Sequence, residues 1–377
     1  MRITIVCDVL GEENNGTTIT AKRLINSLKE RGHYVKVISP NKAEADGYYE
    51  VPTMNFGIFN KYVAKNGVKI AKVDKNVLTS ALEGAEVVHI MLPFSLGRTA
   101  IKMCVKKGIP VTAGMHTQAE NVTSHFFLKN IKFANDLVYA GMRHVLYRYV
   151  DAIHCPSNFI AHVAQNHKYK APTYIISNGV IPFFKPNPGP KPKGLEERFL
   201  ILFVGRFSRE KRHDLLIKAV HKSKYRDKIQ LIFAGAGPSK ENMVHLAKRL
   251  LPHEPIINFY PKEELVKVIN YCDLYVHPSD AEIEGISCIE AISCGLVPVI
   301  SDSPQSATNA FALTKNNLFD HKHPLDLAHK IDFWIENPEL KAKASIKYIE
   351  YSKRFAIAGA IDKMEGMFND VIAKKKK

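Results

Sequence analysis

No run in this sequence approaches the roughly 18–20 apolar residues that a membrane-spanning helix needs, so any membrane contact is expected to be peripheral. The six cysteines (Cys7, Cys104, Cys155, Cys272, Cys288 and Cys294) include no CxxC pair, and most lie in apolar runs. That argues against a disulfide scaffold and a zinc site, and for buried thiols in a reducing cytoplasm. The opening MRITIVCDVLG has too short an apolar run for a signal peptide, and Asp8 interrupts it. No D-x-D stands at a strand end, and no His/Cys cluster has metal-ligand spacing, so neither a metal nor a cofactor is expected. Acid is scarce: 37 Asp+Glu face 53 Lys+Arg, a formal net charge of +16. Residues 1–190 hold 23 basic and 13 acidic residues (+10), and the remainder holds 30 and 24 (+6). Such an excess fits a partner carrying phosphate: a nucleotide, a nucleic acid or an anionic membrane. No helix-turn-helix, zinc-finger or RNA-binding aromatic motif accompanies it, which argues against nucleic acid.

What is present is a strand–helix rhythm. Ile3 to Val9 reads as a buried strand, GEENNG as a turn-rich loop, Thr17 to Arg31 as a helix and Tyr34 to Ile38 as the next strand. Val87 to Met91, a helix near Arg98 to Lys107, and Ile109 to Ala113 continue it. The stretch PFFKPNPGPKPKGLEER, rich in proline and glycine, interrupts the rhythm and reads as a linker. The pattern then restarts with strands at Phe199 to Val204 and Ile229 to Ala234, and helices at His213 to Ser223 and Ser239 to Leu251. Two α/β halves with doubly wound parallel sheets are expected. The domain limits are 1–185, a linker at 186–198, 199–353, and a closing helix at 354–377. Ligands of such sheets bind at the carboxyl ends of the strands, so the expected active site is a cleft between the halves.

The segment DAEIEGISCIEAISCGLVPVIS places Glu282, Glu284 and Glu290 around an apolar run. A helix beginning near Ile286 has free N–H groups in its first turn, which suit phosphate, and Gly285 allows close approach. Glu282 and Glu290 are carboxylates able to accept hydrogen bonds from sugar hydroxyls in the same pocket. On spacing alone, a solvated Glu282 and a lysine-paired Glu290 explain the pattern as well.

This stretch resembles the E-x7-E signature of the family 4 retaining glycosyltransferases of GT-B fold. The Glu-Ile-Glu-Gly-Ile-Ser context is similar to glycolipid-synthesising members such as the diacylglycerol glucosyltransferases. The resemblance implies two Rossmann-like domains facing a cleft. It gives Glu290 the nucleotide ribose, Glu282 the donor sugar, and the Gly285–Ile286–Ser287 backbone the sugar and diphosphate. Val204-Gly-Arg-Phe-Ser-Arg-Glu-Lys-Arg212 resembles the family's VGR-x4-K segment, in which Arg206 and Lys211 grip the diphosphate. Asn15-Gly16 resembles its glycine loop, with Asn15 in place of a usual glycine. His116 resembles its strand-end histidine near the reaction centre, and Gly235 the turn near the base. Glu120 is an acceptor-side candidate or a helix cap. Transfer from a nucleotide sugar, UDP-hexose first, would run by front-face attack with the departing phosphate oxygen assisting, and with the domains closing over the donor.

Two basic segments bear on the acceptor. Lys61, Lys65, Lys69, Lys72 and Lys75 fall within one helical arc, opposite Phe59, Val63, Ile70 and Val73, although Gly67 interrupts it. A helix there suits an anionic lipid surface. In residues 125–150, Phe127, Ile131, Val138, Met142, Val145 and Tyr149 form a stripe that is expected to face the core. The expectation is a cytoplasmic enzyme, peripheral on the inner face of the membrane, with diacylglycerol or a glycolipid as acceptor. The alternatives left open are a soluble glycosyltransferase acting on a polysaccharide, sugar phosphate or small metabolite, and a GT-B-fold nucleotide-sugar epimerase.

Overall fold

A computed structural model describes residues 1–10, 16–40, 46–55, 57, 70–124 and 131–376. The chain forms two compact units, one from residues 1–178 with 358–377, the other from 179–357.

The first unit is built on seven strands: β1 (Arg2–Val6), β2 (Tyr34–Ser39), β3 (Tyr48–Glu50), β4 (Val87–Ile90), β5 (Val111–Gly114), β6 (Ala152–Cys155) and β7 (Thr173–Ile175). All pairings are parallel, in the order β3-β2-β1-β4-β5-β6-β7. Its helices are α1 (Gly16–Glu30), α2 (Lys75–Leu82), α3 (Ser95–Lys107), α4 (Ala119–Ser124), α5 (Lys132–Val145) and α6 (Asn158–Asn166). The central strands are buried throughout, as parallel strands covered on both faces must be.

The second unit has β8 (Phe199–Val204), β9 (Ile229–Ala234), β10 (Ile256–Asn258), β11 (Leu274–His277), β12 (Ala281–Glu282), β13 (Pro298–Ser301), β14 (Gln305–Ser306) and β15 (Leu318–Phe319). Six of them form a parallel sheet in the order β10-β9-β8-β11-β13-β15, and β12 pairs with β14. The helices are α7 (His213–Lys222), α8 (Lys240–Leu250), α9 (Lys262–Tyr271), α10 (Ile286–Ser293), α11 (Pro324–Glu336) and α12 (Pro338–Ser352). One apolar core joins Phe203, Phe233, Leu216, Ile289 and Trp334 across these layers.

In both sheets the chain starts in the middle, winds outward, and then crosses to the other side. The switch points lie between β1 and β4 and between β8 and β11. Loops leaving the carboxyl ends of those strands diverge and leave room for a ligand.

The changeover between units differs from the expected linker. It falls at Asn178–Gly179, and Val180 and Phe184 already belong to the second unit's core. The proline-rich stretch therefore runs within the second unit. The last helix, α13 (Ile357–Lys376), packs on the first unit. There Arg31 donates to Glu365 at 3.0 Å and also pairs with Asp362, His33 meets Glu365 at 2.7 Å, and Tyr174 donates to Asp370 at 2.8 Å. Met364, Met367 and Phe368 bury the helix's apolar side.

Candidate active site

The second unit's switch point gathers most of the expected donor-side residues. The loop after β8 carries Arg206 and Lys211, both half-buried. The loop after β11 carries Glu282, and the Lys211 ammonium forms an ion pair with its carboxylate. His277, the last residue of β11 and fully buried, places Nε2 2.9 Å from the same carboxylate oxygen. Behind it, Tyr275 Oη lies 3.1 Å from His277 Nδ1 and 3.1 Å from Ser287 Oγ, which in turn is 3.1 Å from the Val204 carbonyl. A hydrogen-bonded line thus runs from Lys211 through Glu282, His277 and Tyr275 to the first turn of α10.

Burial pushes the Glu282 carboxyl up, but the Lys211 charge and the His277 hydrogen bond outweigh it and hold the group below the usual carboxylate range. Burial holds the His277 imidazole below its ordinary value against the pull of Glu282. A neutral His277 ring donates from Nε2 to Glu282, and the single Tyr275 hydroxyl proton has two acceptors at 3.1 Å, His277 Nδ1 and Ser287 Oγ, the Ser287 proton itself going to the Val204 carbonyl. Glu282 is an acceptor whose remaining lone pairs suit a sugar hydroxyl.

A second set of contacts holds the two loops together. Arg212, in the left-handed region at φ 53°, donates to Asp280 at 3.1 and 3.2 Å and to Asp214 at 3.1 Å. The Asp280 N–H donates to the Glu210 carbonyl at 2.7 Å. Lys211 is therefore fixed from both sides of its own peptide. Sequence reading missed Arg212, His277 and Tyr275. An extra arginine directly after Lys211 and a histidine ending an apolar strand were the available signals.

Gly285 caps α10 at φ 85°, and a Cβ there would stand 2.2 Å from the Thr308 methyl. Only glycine brings the chain into the helix this way. The helix's opening N–H groups, those of Ile286 and Ser287, face outward at the positive end of the dipole. Glu290 lies one turn in and is buried. Gly235, after β9, packs so closely on the first loop that a Cβ would sit 2.1 Å from the Gly205 carbonyl oxygen. These geometries join an anion-binding helix end, two cations and two carboxylates, which is the equipment for holding a sugar diphosphate.

In the first unit, α1 begins at Gly16, where an added Cβ meets no atom within 4 Å. Asn15 lies outside the described residues, as do Lys61, Lys65 and Lys69. Lys72 is exposed but not helical: its N–H donates to the Pro52 carbonyl at 2.7 Å beside an antiparallel bridge between Thr53 and Ala71. Lys75 opens α2 after an Asp74 cap. One helix carrying the whole lysine series is therefore ruled out, because Ile70, Ala71 and Lys72 are spent on extended pairing and Asp74 caps a new helix. Glu120 sits in the first turn of α4 and accepts from the Tyr139 hydroxyl at 2.7 Å. The expectation that the 125–150 stripe faces the core holds only in part: Val138 and Met142 are half-buried, Ile131, Val145 and Tyr149 are exposed, and Phe127 lies outside the described residues. The buried residues of α5 are Asn135 and Tyr139, while Phe133 and Leu137, off that stripe, are 77% and 65% exposed. Lys132 and Arg148 are exposed beside them. Asn135 turns inward because it accepts from Thr123 at 2.6 Å.

His116 follows β5 and is buried, its ring folded over Gly114 and edge-on to His154 at 5.1 Å between ring centres. With His89 it forms a three-histidine cluster that no sequence spacing announced. Burial holds all three down, helped by the neighbouring rings at His89, to about 3, and at His116, and opposed at His154, to about 4, by the hydrogen bond to the Ile176 carbonyl. At the first unit's own switch point Asp8 is buried. It accepts from the Leu96 N–H at 3.3 Å, and burial pushes its carboxyl up to about 7.

Two family descriptions match: Glycosyltransferase Family 4 over residues 14–182 and Glycosyl transferases group 1 over 189–353. Solved structures share the fold. HepE from Anabaena, in complex with UDP and glucose, superposes with a TM-score of 0.77 over 98% of this chain and 100% of that one, at 16% identity. The lipopolysaccharide glycosyltransferase WaaG gives 0.72 over 97% and 99%, at 14% identity. The architecture is that of the GT-B glycosyltransferases.

Among relatives, the α-monoglucosyldiacylglycerol synthase of Streptococcus pneumoniae is 23% identical over 80% of this chain and 71% of its own. Its counterpart in Acholeplasma laidlawii is 22% identical over 100% and 99%. A GDP-mannose-dependent α-mannosyltransferase of Mycolicibacterium smegmatis is 25% identical over 80% and 79%. The chain belongs to glycosyltransferase family 4, and its similarity to the glycolipid-synthesising members runs through both units.

Proposed function

We propose that this enzyme moves a hexose from a nucleotide sugar, UDP-hexose first, to a hydroxyl of a membrane lipid such as diacylglycerol or a glycolipid, with retention at the anomeric carbon. The observation that carries the donor half is the Lys211–Glu282–His277 line beside the start of α10. The nucleotide ribose donates its hydroxyls to Glu290, and the diphosphate lies against the opening N–H groups of α10 with Arg206 and Lys211. Glu282 accepts from hydroxyls of the sugar. By resemblance to the glycine loop, Asn15 and Gly16 are kept as candidates for the donor phosphate, and Gly235 for the nucleotide base. His116 remains the first unit's candidate for a contact with the donor sugar.

As the bond from the anomeric carbon to the phosphate oxygen breaks, negative charge grows on the diphosphate. Lys211, Arg206 and the helix dipole stabilise it without rearranging. The departing oxygen takes the proton of the acceptor hydroxyl, whose oxygen bonds to the same face of the anomeric carbon. No protein nucleophile is needed, and catalysis rests on positioning and on charge stabilisation.

The lipid half rests on α5 and on the two relatives named α-monoglucosyldiacylglycerol synthase. Exposed Phe133 and Leu137 flanked by Lys132 and Arg148 suit insertion among acyl chains at an anionic surface. Among the described residues no helix is long and apolar enough to cross a membrane, so the attachment proposed is peripheral, at the cytoplasmic face. Glu120 and Lys72 are the described acceptor-side candidates.

The test incubates full-length protein with labelled UDP- and GDP-hexoses, with and without anionic vesicles containing diacylglycerol or a glycolipid. Label in the organic phase, dependent on vesicles, is the expected result. Label confined to water-soluble products would replace the lipid acceptor with a soluble one. Donor consumption without any acceptor would indicate an epimerase or hydrolase.

A further inference from the structure

The three buried histidines of the first unit have no part in the donor chemistry just described, apart from the expectation placed on His116. Their arrangement follows from the sheet. His89 on β4 stands opposite Thr112 on β5, and Gly114, two residues on, stands opposite His154 on β6. Residues two apart on a strand share a face, so His89, Thr112, Gly114 and His154 all project to the same side. Gly114 leaves a gap in that row, and the His116 ring fills it: a Cβ on Gly114 would lie 2.3 Å from His116 Nε2. Phe368 of α13 closes over His89, with ring centres 5.8 Å apart.

Within this closed space one ring nitrogen of each histidine has no hydrogen-bond partner among the described residues: His89 Nε2, His116 Nε2 and His154 Nδ1. The other nitrogens of two rings are already engaged. His154 Nε2 lies 2.7 Å from the Ile176 carbonyl, which can only accept, so the proton of the neutral ring is there and Nδ1 offers a lone pair. His89 Nδ1 lies 2.9 Å from Thr112 Oγ1, whose hydroxyl is directed at the Val88 carbonyl. His89 then donates to Thr112, and its Nε2 is a second lone pair. One liganding nitrogen from each of the three rings fits within a sphere where all lie within 4.8 Å of one another. Two of these nitrogens are buried lone pairs, and the His116 ring could donate to no more than one of them, so at least one buried acceptor stays unpaired unless a cation stands between the rings.

We propose that His89, His116 and His154 form a binding site for a late first-row divalent cation, zinc in the first instance, with a fourth position left to water. Three imidazoles with a solvent ligand are a recurrent zinc environment. Each engaged ring is oriented by a second partner, Thr112 or the Ile176 carbonyl, as metal-ligating histidines commonly are. Bond lengths of about 2.0–2.1 Å put tetrahedral ligand atoms roughly 3.3 Å apart, so small ring rotations close the set around an ion. The ion ties together the ends of three adjacent strands and holds the His116 ring as described.

The experiment uses the full chain, stripped with a chelator and titrated with zinc and with cobalt. The expected result is one equivalent of zinc bound in competition with a chromophoric chelator, a rise in Tm, and the intense visible absorption of four-coordinate cobalt. His154→Phe and His116→Asn should each weaken zinc at least 100-fold. His321→Ala should change nothing, because the exposed Asp302, Asp320 and His321 group is the other cluster of suitable ligands among the described residues. Because His154→Phe changes a buried side chain, wild-type cobalt absorption is an independent readout that needs no variant. No stoichiometric binding, the weak spectrum of six-coordinate cobalt, or binding lost with His321 instead would overturn the assignment. A crystal structure of metal-soaked protein with a bridging water and no anomalous peak would also overturn it.

Discussion

The two switch points sit in sheets of the same winding, yet they differ in how far their charged groups are paired, although His213 Nε2 and Ser279 Oγ near the second also lack a partner among the described residues. Around β8 and β11 the named groups are linked: Lys211 to Glu282, Glu282 to His277, His277 to Tyr275, and Arg212 to Asp280. Around β1 and β4, Asp8 Oδ2 lacks a partner among the described residues, and so do three imidazole nitrogens nearby in the same sheet. The second unit is thus preorganised for a ligand whose charge it already balances. The first holds buried polar groups that have no partner among the described residues. A site that stabilises a growing charge gains from the first design, because nothing has to rearrange when the charge appears. An acceptor or ion site can tolerate the second design, because binding itself supplies the missing partner.

The largest break in this comparison should come from Lys211→Ala. It removes a cation from the diphosphate and leaves Glu282 with one partner. We expect transfer to fall by about 10²–10³-fold, the scale set by deleting one preorganised charge-stabilising donor, while the circular dichroism spectrum and Tm stay near wild type.

Asp8→Asn sharpens the contrast from the other side. The folded Asp8 carboxyl titrates near 7 where the unfolded one titrates near 3.8. A raised carboxyl favours the folded state fully below the unfolded value, and that advantage is lost as pH rises through 7. Replacing it with a neutral amide should therefore raise stability relative to wild type more at pH 8 than at pH 5. At about 1.4 kcal/mol per pH unit between 5 and 7, the difference is on the order of 2–3 kcal/mol, and denaturant titration at the two pH values measures it. Equal effects at both would show that Asp8 is not the strained group described.

How much of this was legible in the residues depends on distance along the chain. β8 and β9 can be read end to end because continuous apolar runs bounded by turns mark buried parallel strands. Glu282, Lys211 and Gly285 stand out through their motif. Arg212 does not, because its meaning lies in a contact with Asp280, 68 residues away in the chain, and His277 does not, because only the turn after β11 folds Glu282 back onto its ring. The histidine cluster is invisible for the same reason: its members come from β4, β6 and the end of β5, and only strand register brings them together. α5 was misread for another reason. A helical stripe shows that residues share a side, but not which side meets the protein, and the inward side was chosen by Asn135 and Tyr139 through Thr123 and Glu120.

That misreading yields a smaller prediction. Phe133→Ser should weaken binding to anionic vesicles roughly 10–30-fold, from about 2 kcal/mol of apolar burial. Consumption of the donor with a water-soluble acceptor analogue should be unchanged. Unaltered vesicle binding would remove α5 from the account. Smaller still, His277→Phe cuts the line between Glu282 and Tyr275. It should lower kcat about tenfold, the effect of one hydrogen bond to a charged group. It should also shift the acid limb of the pH–rate profile upward, because Glu282 loses a partner that holds it ionised.

The central claim is that the second unit, through Lys211, Glu282 and Glu290, holds the nucleotide sugar. Equilibrium titration of UDP and UDP-hexose into the full chain and into Glu290→Gln tests it most directly. The account predicts saturable binding to wild type that weakens at least tenfold in the variant with no change in Tm. Equal affinity in both, or no binding of any nucleotide to wild type, would contradict it.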